Sequence, residues 1–107
     1  MNRIQIVDMD QVRADAMKHG RHFFSPGAMR FFDSRISHHG YQVDATVYFV
    51  TSERFDAGFP RLYTVRAIDM HSWNVTTYPN QSAFQAYTTA RAAHKKARAI
   101  AQLNATV

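Results

Sequence analysis

The chain has 107 residues, a formal net charge of +5 and no cysteine. This length fits one domain over residues 1–107, and the missing thiols exclude a disulfide scaffold, a thiolate zinc site and a cysteine nucleophile. Without an apolar run near the ~18 residues of a membrane span, the sequence favours a cytoplasmic protein that does not contact a membrane.

The N-terminal segment predicts a short strand followed by a helix. Ile4 and Ile6 alternate with polar residues, which is the period of a strand. Asp8 or Asp10 can cap a helix that runs to about Lys18, since an aspartate side chain accepts hydrogen bonds from the first free backbone N–H groups.

A second helix is predicted to begin at Ser25-Pro26 and to end at about Ser37. The serine hydroxyl suits a helix cap, and proline suits the first helical position. Met29, Phe32 and Ile36 then share one face at helical spacing, which predicts a buried apolar stripe.

The middle of the chain predicts antiparallel strands. Residues 45–51 and 61–68 alternate between two sets of side chains, so each is expected to present one set to each face of a sheet. Residues 73–78 form a third predicted strand, and residues 82–87 a fourth strand or a bulged continuation.

A final helix is predicted from Thr88 or Thr89 to about Leu103. Alanines dominate one side of it, which suits close packing on a sheet. Bases follow the opposite side at helical spacing: Arg91, Lys95 and Arg98, with Lys96 and His94 beside them.

These elements predict an α+β domain in which a three- to four-stranded antiparallel sheet carries the N-terminal and C-terminal helices on one face. The outline resembles that of a double-stranded-RNA-binding domain, although Lys95 and Lys96 lie about two turns into the helix and not at its tip. An exposed strand edge near residues 73–87 would also allow a homodimer.

The candidate functional residues are basic. Ten of the thirteen bases are arginines, and arginine side chains form bidentate hydrogen bonds with phosphate or carboxylate, which favours a partner that carries these groups. A basic helix face can equally be an ordinary solvated surface. The residues predicted to bind a partner are Arg91, Lys95, Lys96 and Arg98 on the last helix and Arg61 and Arg66 on the sheet.

Catalytic and metal sites are not predicted. His19 and His22 are separated by Gly20, and neither they nor His38-His39 have a carboxylate at the spacing of a known motif. The four isolated glycines form no phosphate-binding loop. We therefore expect no cofactor, no metal and no enzymatic activity. An enzyme stays open as an alternative if His22, His38 or His39 meets an acid in an open pocket.

Three motifs carry a resemblance: FFSPGAMRFFDSR at residues 23–35, YFVTSE at 48–53 and LYTVR at 62–66. With them, about residues 18–100 resemble a family of small uncharacterised bacteriophage and prophage proteins. The resemblance implies phage origin and action in the host cytoplasm, and it supplies no catalytic residues. Similar proteins often carry acids in the last helix, so the basic face is not expected to be a family-wide site.

Two functional hypotheses follow. The first is a non-catalytic phage protein that binds a host protein or nucleoprotein stoichiometrically, as an inhibitor of an antiviral defence such as a CRISPR or restriction complex would. The second is a nucleic-acid-binding module that holds DNA or RNA on the last helix. The second hypothesis requires that the protein binds free DNA or RNA, and the first does not.

Overall fold

The computed structural model describes residues 4–20, 35–54, 60–78, 87 and 89–105. In chain order the elements are β1 (Gln5–Asp8), α1 (Met9–Lys18), β2 (Arg35–Ile36), β3 (His39–Val43), β4 (Thr46–Glu53), β5 (Leu62–Asp69), β6 (Val75–Tyr78) and α2 (Ala90–Ala105). The helix predicted from Ser25 lies mostly outside the described residues, as does the fourth predicted strand up to its last residue, Tyr87, which bridges to Tyr63.

All six strands form one antiparallel sheet in the order β1-β3-β4-β5-β6, with β2 also paired to β4. The predicted α+β class is therefore confirmed. Among the described residues the sheet has six strands, more than the three or four expected, because the predicted first strand joins the sheet as β1 and because alternation had not identified β2 and β3.

The two helices pack on opposite faces of the sheet, and the expectation of one shared face was wrong. Residues of α1 join Val47 and Phe49 of β4 in one core cluster. Residues of α2 join Tyr48 and Val50 of β4 in the other. Since successive side chains of a strand point to opposite faces, a strand that is apolar on both sides requires a cover on each.

Strands β2 and β3 run along the same edge of β4, separated by a bulge. Ile36 pairs with Thr51 and Tyr41 with Tyr48, so five steps on one strand oppose three on the other. Ser37 fills the gap, because its N–H donates to Val50 O (2.9 Å) and its hydroxyl donates to the carbonyl of His39 (2.9 Å). The predicted helix to Ser37 was thus wrong over Arg35–Ile36, where pairing with β4 prevails over local helical spacing.

Gly40 lies where α1 meets the sheet. A Cβ at this position would stand 2.6 Å from Met9 Sδ and 2.8 Å from Val47 Cγ1. Both neighbours are buried, so only glycine allows the start of α1 to approach β3 this closely. Asp8 caps the same helix with its carboxylate, which accepts the N–H of Asp10 at 2.9 Å.

A tight turn joins β5 to β6. Asp69 Oδ1 accepts the N–H groups of His71 (2.7 Å) and Ser72 (3.3 Å), and these hydrogen bonds hold the pKa of Asp69 below its usual value. Trp73 follows with a positive φ of 62° and stacks on His19, with ring centroids 4.7 Å apart. The turn therefore contacts the end of α1.

A polar network lies at the C-terminal end of β4, on the face of the sheet that α1 covers. Arg66 Nη2 pairs with Glu53 Oε1 at 2.9 Å, and Arg66 Nε donates to Thr51 Oγ1 at 2.7 Å. The Thr51 hydroxyl in turn donates to Glu53 Oε1 (2.8 Å), and Thr64 donates to Oε2 (3.4 Å). The Glu53 and Arg66 side chains are 11% and 19% exposed, so each is largely withdrawn from water and the other supplies its opposite charge.

Replacing Gly40 by alanine should lower the free energy of unfolding by about 1–3 kcal/mol, because the added methyl overlaps Met9 and Val47. Chemical denaturation measures the loss. In a Met9→Ala background the same substitution should cost less, since the nearest clashing atom is gone. Equal costs in both backgrounds would contradict the close-approach explanation.

Replacing Glu53 by alanine should cost about 3 kcal/mol, because Arg66 is left largely buried without its carboxylate. Thr64→Val is the matched control, and it should cost at most about 1 kcal/mol because it removes one long hydrogen bond. The pair Glu53→Leu with Arg66→Met should recover most of the loss. Denaturation curves for the natural sequence, the two single variants and the double variant measure these free energies of unfolding. A cost for Glu53→Ala no larger than that for Thr64→Val would refute the argument.

Candidate polyanion-binding surface

Helix α2 is anchored to the sheet by alanines. Ala93, Ala97, Ala101 and Ala105 recur every fourth residue and are buried against β3, β4 and β5. At the start of the helix, the Thr89 hydroxyl accepts the N–H of Ala92 at 3.2 Å, as a helix cap does. The alanine side fixes which side of α2 faces solvent.

The solvent side of α2 is basic. Arg91, Lys95 and Arg98 are exposed and follow one line with Gln102, at the helical spacing that the sequence predicted. We call these four residues the basic stripe. Lys96 is also exposed, but at 100° per residue it lies about 100° around the helix from Lys95.

The cations of α2 are not neutralised within the described part of the chain. Over those residues, Arg91, Lys95, Lys96 and Arg98 make no hydrogen bond or ion pair with a protein group. The helix itself contains no acid. Residues 70–107 carry four bases and no acid, a net charge of +4, whereas nine bases and eight acids give residues 1–69 a net charge of +1. Most of the net charge therefore belongs to this one helix.

The two sheet arginines of the predicted set are placed differently. Arg61 Nη1 donates to Ser52 O (3.3 Å) and Oγ (2.9 Å), on the face that α2 covers. Arg66 points to the opposite face and joins the network with Glu53. The structure thus brings together the four cations of α2 and separates Arg66 from them.

A small cleft opens between the first turn of α2 and β2. It has a volume of about 110 Å³, with Val50 and Tyr63 among its lining residues and Arg35, Ser37 and His94 as polar ones. Small-molecule pockets usually measure roughly 300–1,000 Å³, and a cavity that holds benzene needs about 150 Å³. The cleft therefore has no room for a nucleobase or a metabolite of that size.

His94 joins α2 to β3. Its Nδ1 shares a hydrogen bond of 3.2 Å with the Tyr41 hydroxyl, and the two rings meet edge to face with centroids 6.1 Å apart. Burial lowers the pKa of His94 below its usual value, and the charge of His39 on β3 lowers it further. His94 was noted in the sequence beside the stripe, but its link to His39 depends on a strand that alternation did not reveal.

The other histidines do not converge. His19 stacks on Trp73 and bonds through Nδ1 to the Asp15 carbonyl at 2.8 Å, while His38 and His39 are exposed. His22 lies outside the described residues. Within the described residues, no three His, Asp or Glu side chains are grouped so as to hold a metal ion, and no helix is long and apolar enough to cross a membrane.

Comparisons with known proteins give a family and no relative of known activity. No curated protein and no solved structure shows significant similarity to the chain. A family model described as a family of unknown function, DUF7447, matches residues 5–98, which include α1, the six strands, the first part of α2 and the three bases of the basic stripe. The chain therefore belongs to the DUF7447 family of unknown function.

Proposed function

We propose that this protein is a non-catalytic binding protein that holds the phosphate backbone of a nucleic acid, free or within a nucleoprotein complex, on the basic stripe of α2. One observation carries the proposal: the cations of α2 are exposed and unneutralised by described residues, on a helix without acids. Counterion release from phosphates would drive such binding.

The size of the stripe sets the expected strength. From Arg91 to Arg98 the helix rises about 10 Å, enough for roughly three phosphate contacts. Three contacts give a slope of log affinity against log salt of about −2.1 to −2.7, so affinity should fall roughly 20- to 40-fold between 50 and 200 mM salt. Contacts to phosphates carry no sequence information, so binding through the stripe is expected to be independent of sequence.

A host-directed role is the finer form of this proposal. The motifs that resemble phage proteins, together with the small size of the chain, support a protein that binds a host nucleoprotein, such as a CRISPR or restriction complex, and blocks it. In that form the stripe contacts either the nucleic acid of the complex or an acidic protein face beside it. Binding of free nucleic acid distinguishes a direct nucleic-acid module from a protein-directed inhibitor.

The charge-reversal variant Lys95→Glu with Arg98→Glu should abolish binding of labelled DNA and RNA, because two of the three contacts become repulsive. Fluorescence anisotropy at 50 and 200 mM salt measures the affinity and its salt slope. We expect micromolar binding by the natural sequence.

The matched control is Lys18→Glu, compared with Lys95→Glu alone. Lys18 is an exposed lysine at the end of α1, and α1 packs on the opposite face of the sheet. Lys95→Glu should weaken binding about tenfold or more, and Lys18→Glu much less, although both change the net charge equally. Equal effects would show that only overall charge matters and would refute a site on α2.

A further inference from the structure

The basic stripe continues into a pair of imidazoles. His94 follows Arg91 by three residues and precedes Arg98 by four, so it lies beside both on α2. The Tyr41 hydroxyl, 3.2 Å from Nδ1, holds the ring against β3. His94 is half-buried, and it forms the boundary between the stripe and the sheet.

His39 extends this line onto the sheet. It is exposed, it lies two residues before Tyr41 on the same strand, and its side chain therefore points to the face that carries α2. His39 is close enough to His94 to lower the pKa of that residue. Through His94 and His39 the surface reaches from α2 to the bulge between β2 and β3.

Among the described residues, the charged side chains nearest His94 are bases. Arg35 and Ser37 lie across the cleft, Tyr63 comes from β5, and His39 and Tyr41 come from β3. On its own helix the neighbours are Arg91, Lys95 and Arg98. Asp8 of β1 is the acid that lies opposite His39 in the pairing of β1 with β3. Its Oδ1 accepts the N–H of Asp10 at the start of α1.

We propose that His39 and His94 complete the basic stripe as a pH-dependent surface for the phosphate backbone of nucleic acid, which binds more tightly as His94 takes up a proton. This inference rests on the proposed function. A partner without negative charge would gain nothing from that proton, so the arrangement suits a polyanion and no neutral ligand.

The direction of the effect follows from the charges. In the free protein, burial and then the nearby His39 favour the neutral form of His94. A phosphate beside the ring favours the imidazolium, so the bound protein takes up protons that the free protein does not. Affinity should therefore rise as pH falls from 7.5 to 5.5, by about tenfold for each unit by which binding raises an imidazole pKa.

The test is the affinity for a labelled 20-nucleotide oligothymidylate at pH 7.5 and 5.5, at constant ionic strength, since neither thymine nor the phosphodiester titrates in that range. The natural sequence should bind about tenfold more tightly at pH 5.5. The double variant His39→Gln with His94→Gln should lose most of this gain, so the ratio of its two affinities, and not either affinity alone, is the readout. Glutamine can retain the hydrogen bond to Tyr41, and circular dichroism checks that the variant folds.

The matched control is His71→Gln, in the exposed turn between β5 and β6, which should leave the pH dependence intact. Affinity that does not change with pH, while Lys95→Glu with Arg98→Glu still abolishes binding, would overturn this inference and leave the proposed function standing. A pH gain retained by the double variant would overturn it too. No oligothymidylate binding at either pH would refute both, and binding of polyglutamate instead would assign the surface to an acidic protein.

Discussion

The structure depends on the burial of β4 on both of its faces. Every residue from Val47 to Glu53 is buried, so each face of this strand requires a cover and each polar group on it requires a partner. Helix α1 covers one face and α2 the other. Glycine at position 40 is needed because the first of these covers comes within van der Waals contact of the sheet.

The same constraint divides the arginines into two groups. The last residues of β4 are polar, and Ser52 and Glu53 point to opposite faces. Arg61 satisfies Ser52 on one face, and Arg66 satisfies Glu53 on the other. These arginines hold the sheet together, whereas the bases of α2 have no such internal task among the described residues. Composition alone cannot separate these two uses of positive charge.

Local periodicity predicted the elements whose pattern is uninterrupted. The two long strands, β4 and β5, and the helix α2 were identified from alternation and from helical spacing. Residue type left the cap of α1 open between Asp8 and Asp10, and the structure has Asp8. The pattern failed at β2 and β3, because the bulge at Ser37 resets the alternation and only pairing with β4 reveals it. The sequence also could not predict which face of the sheet each helix covers, because β4 carries apolar side chains on both faces and its pattern does not distinguish them. For the candidate surface, the sequence identified the stripe on α2 but could not connect it to His39, which comes close only through the sheet.

The alanines of α2 have a second effect beside anchoring it. Each buries little apolar area, so the helix gains less from hydrophobic burial than leucines at the same positions would provide. In return its axis lies close to the sheet, and the exposed side of α2 stands near the side chains of β3. The contact between His94 and Tyr41 depends on that short separation.

Trp73 is the single tryptophan of the chain, and it stacks on His19 at the end of α1. Its ring belongs to the core cluster on the face away from α2. Intrinsic fluorescence therefore gives an optical signal for the seating of α1 that a ligand on α2 does not touch directly. The release of α1 from its face of the sheet can thus be followed by tryptophan fluorescence, and ligand binding to α2 on the other face can be followed by a label on the ligand in the same sample.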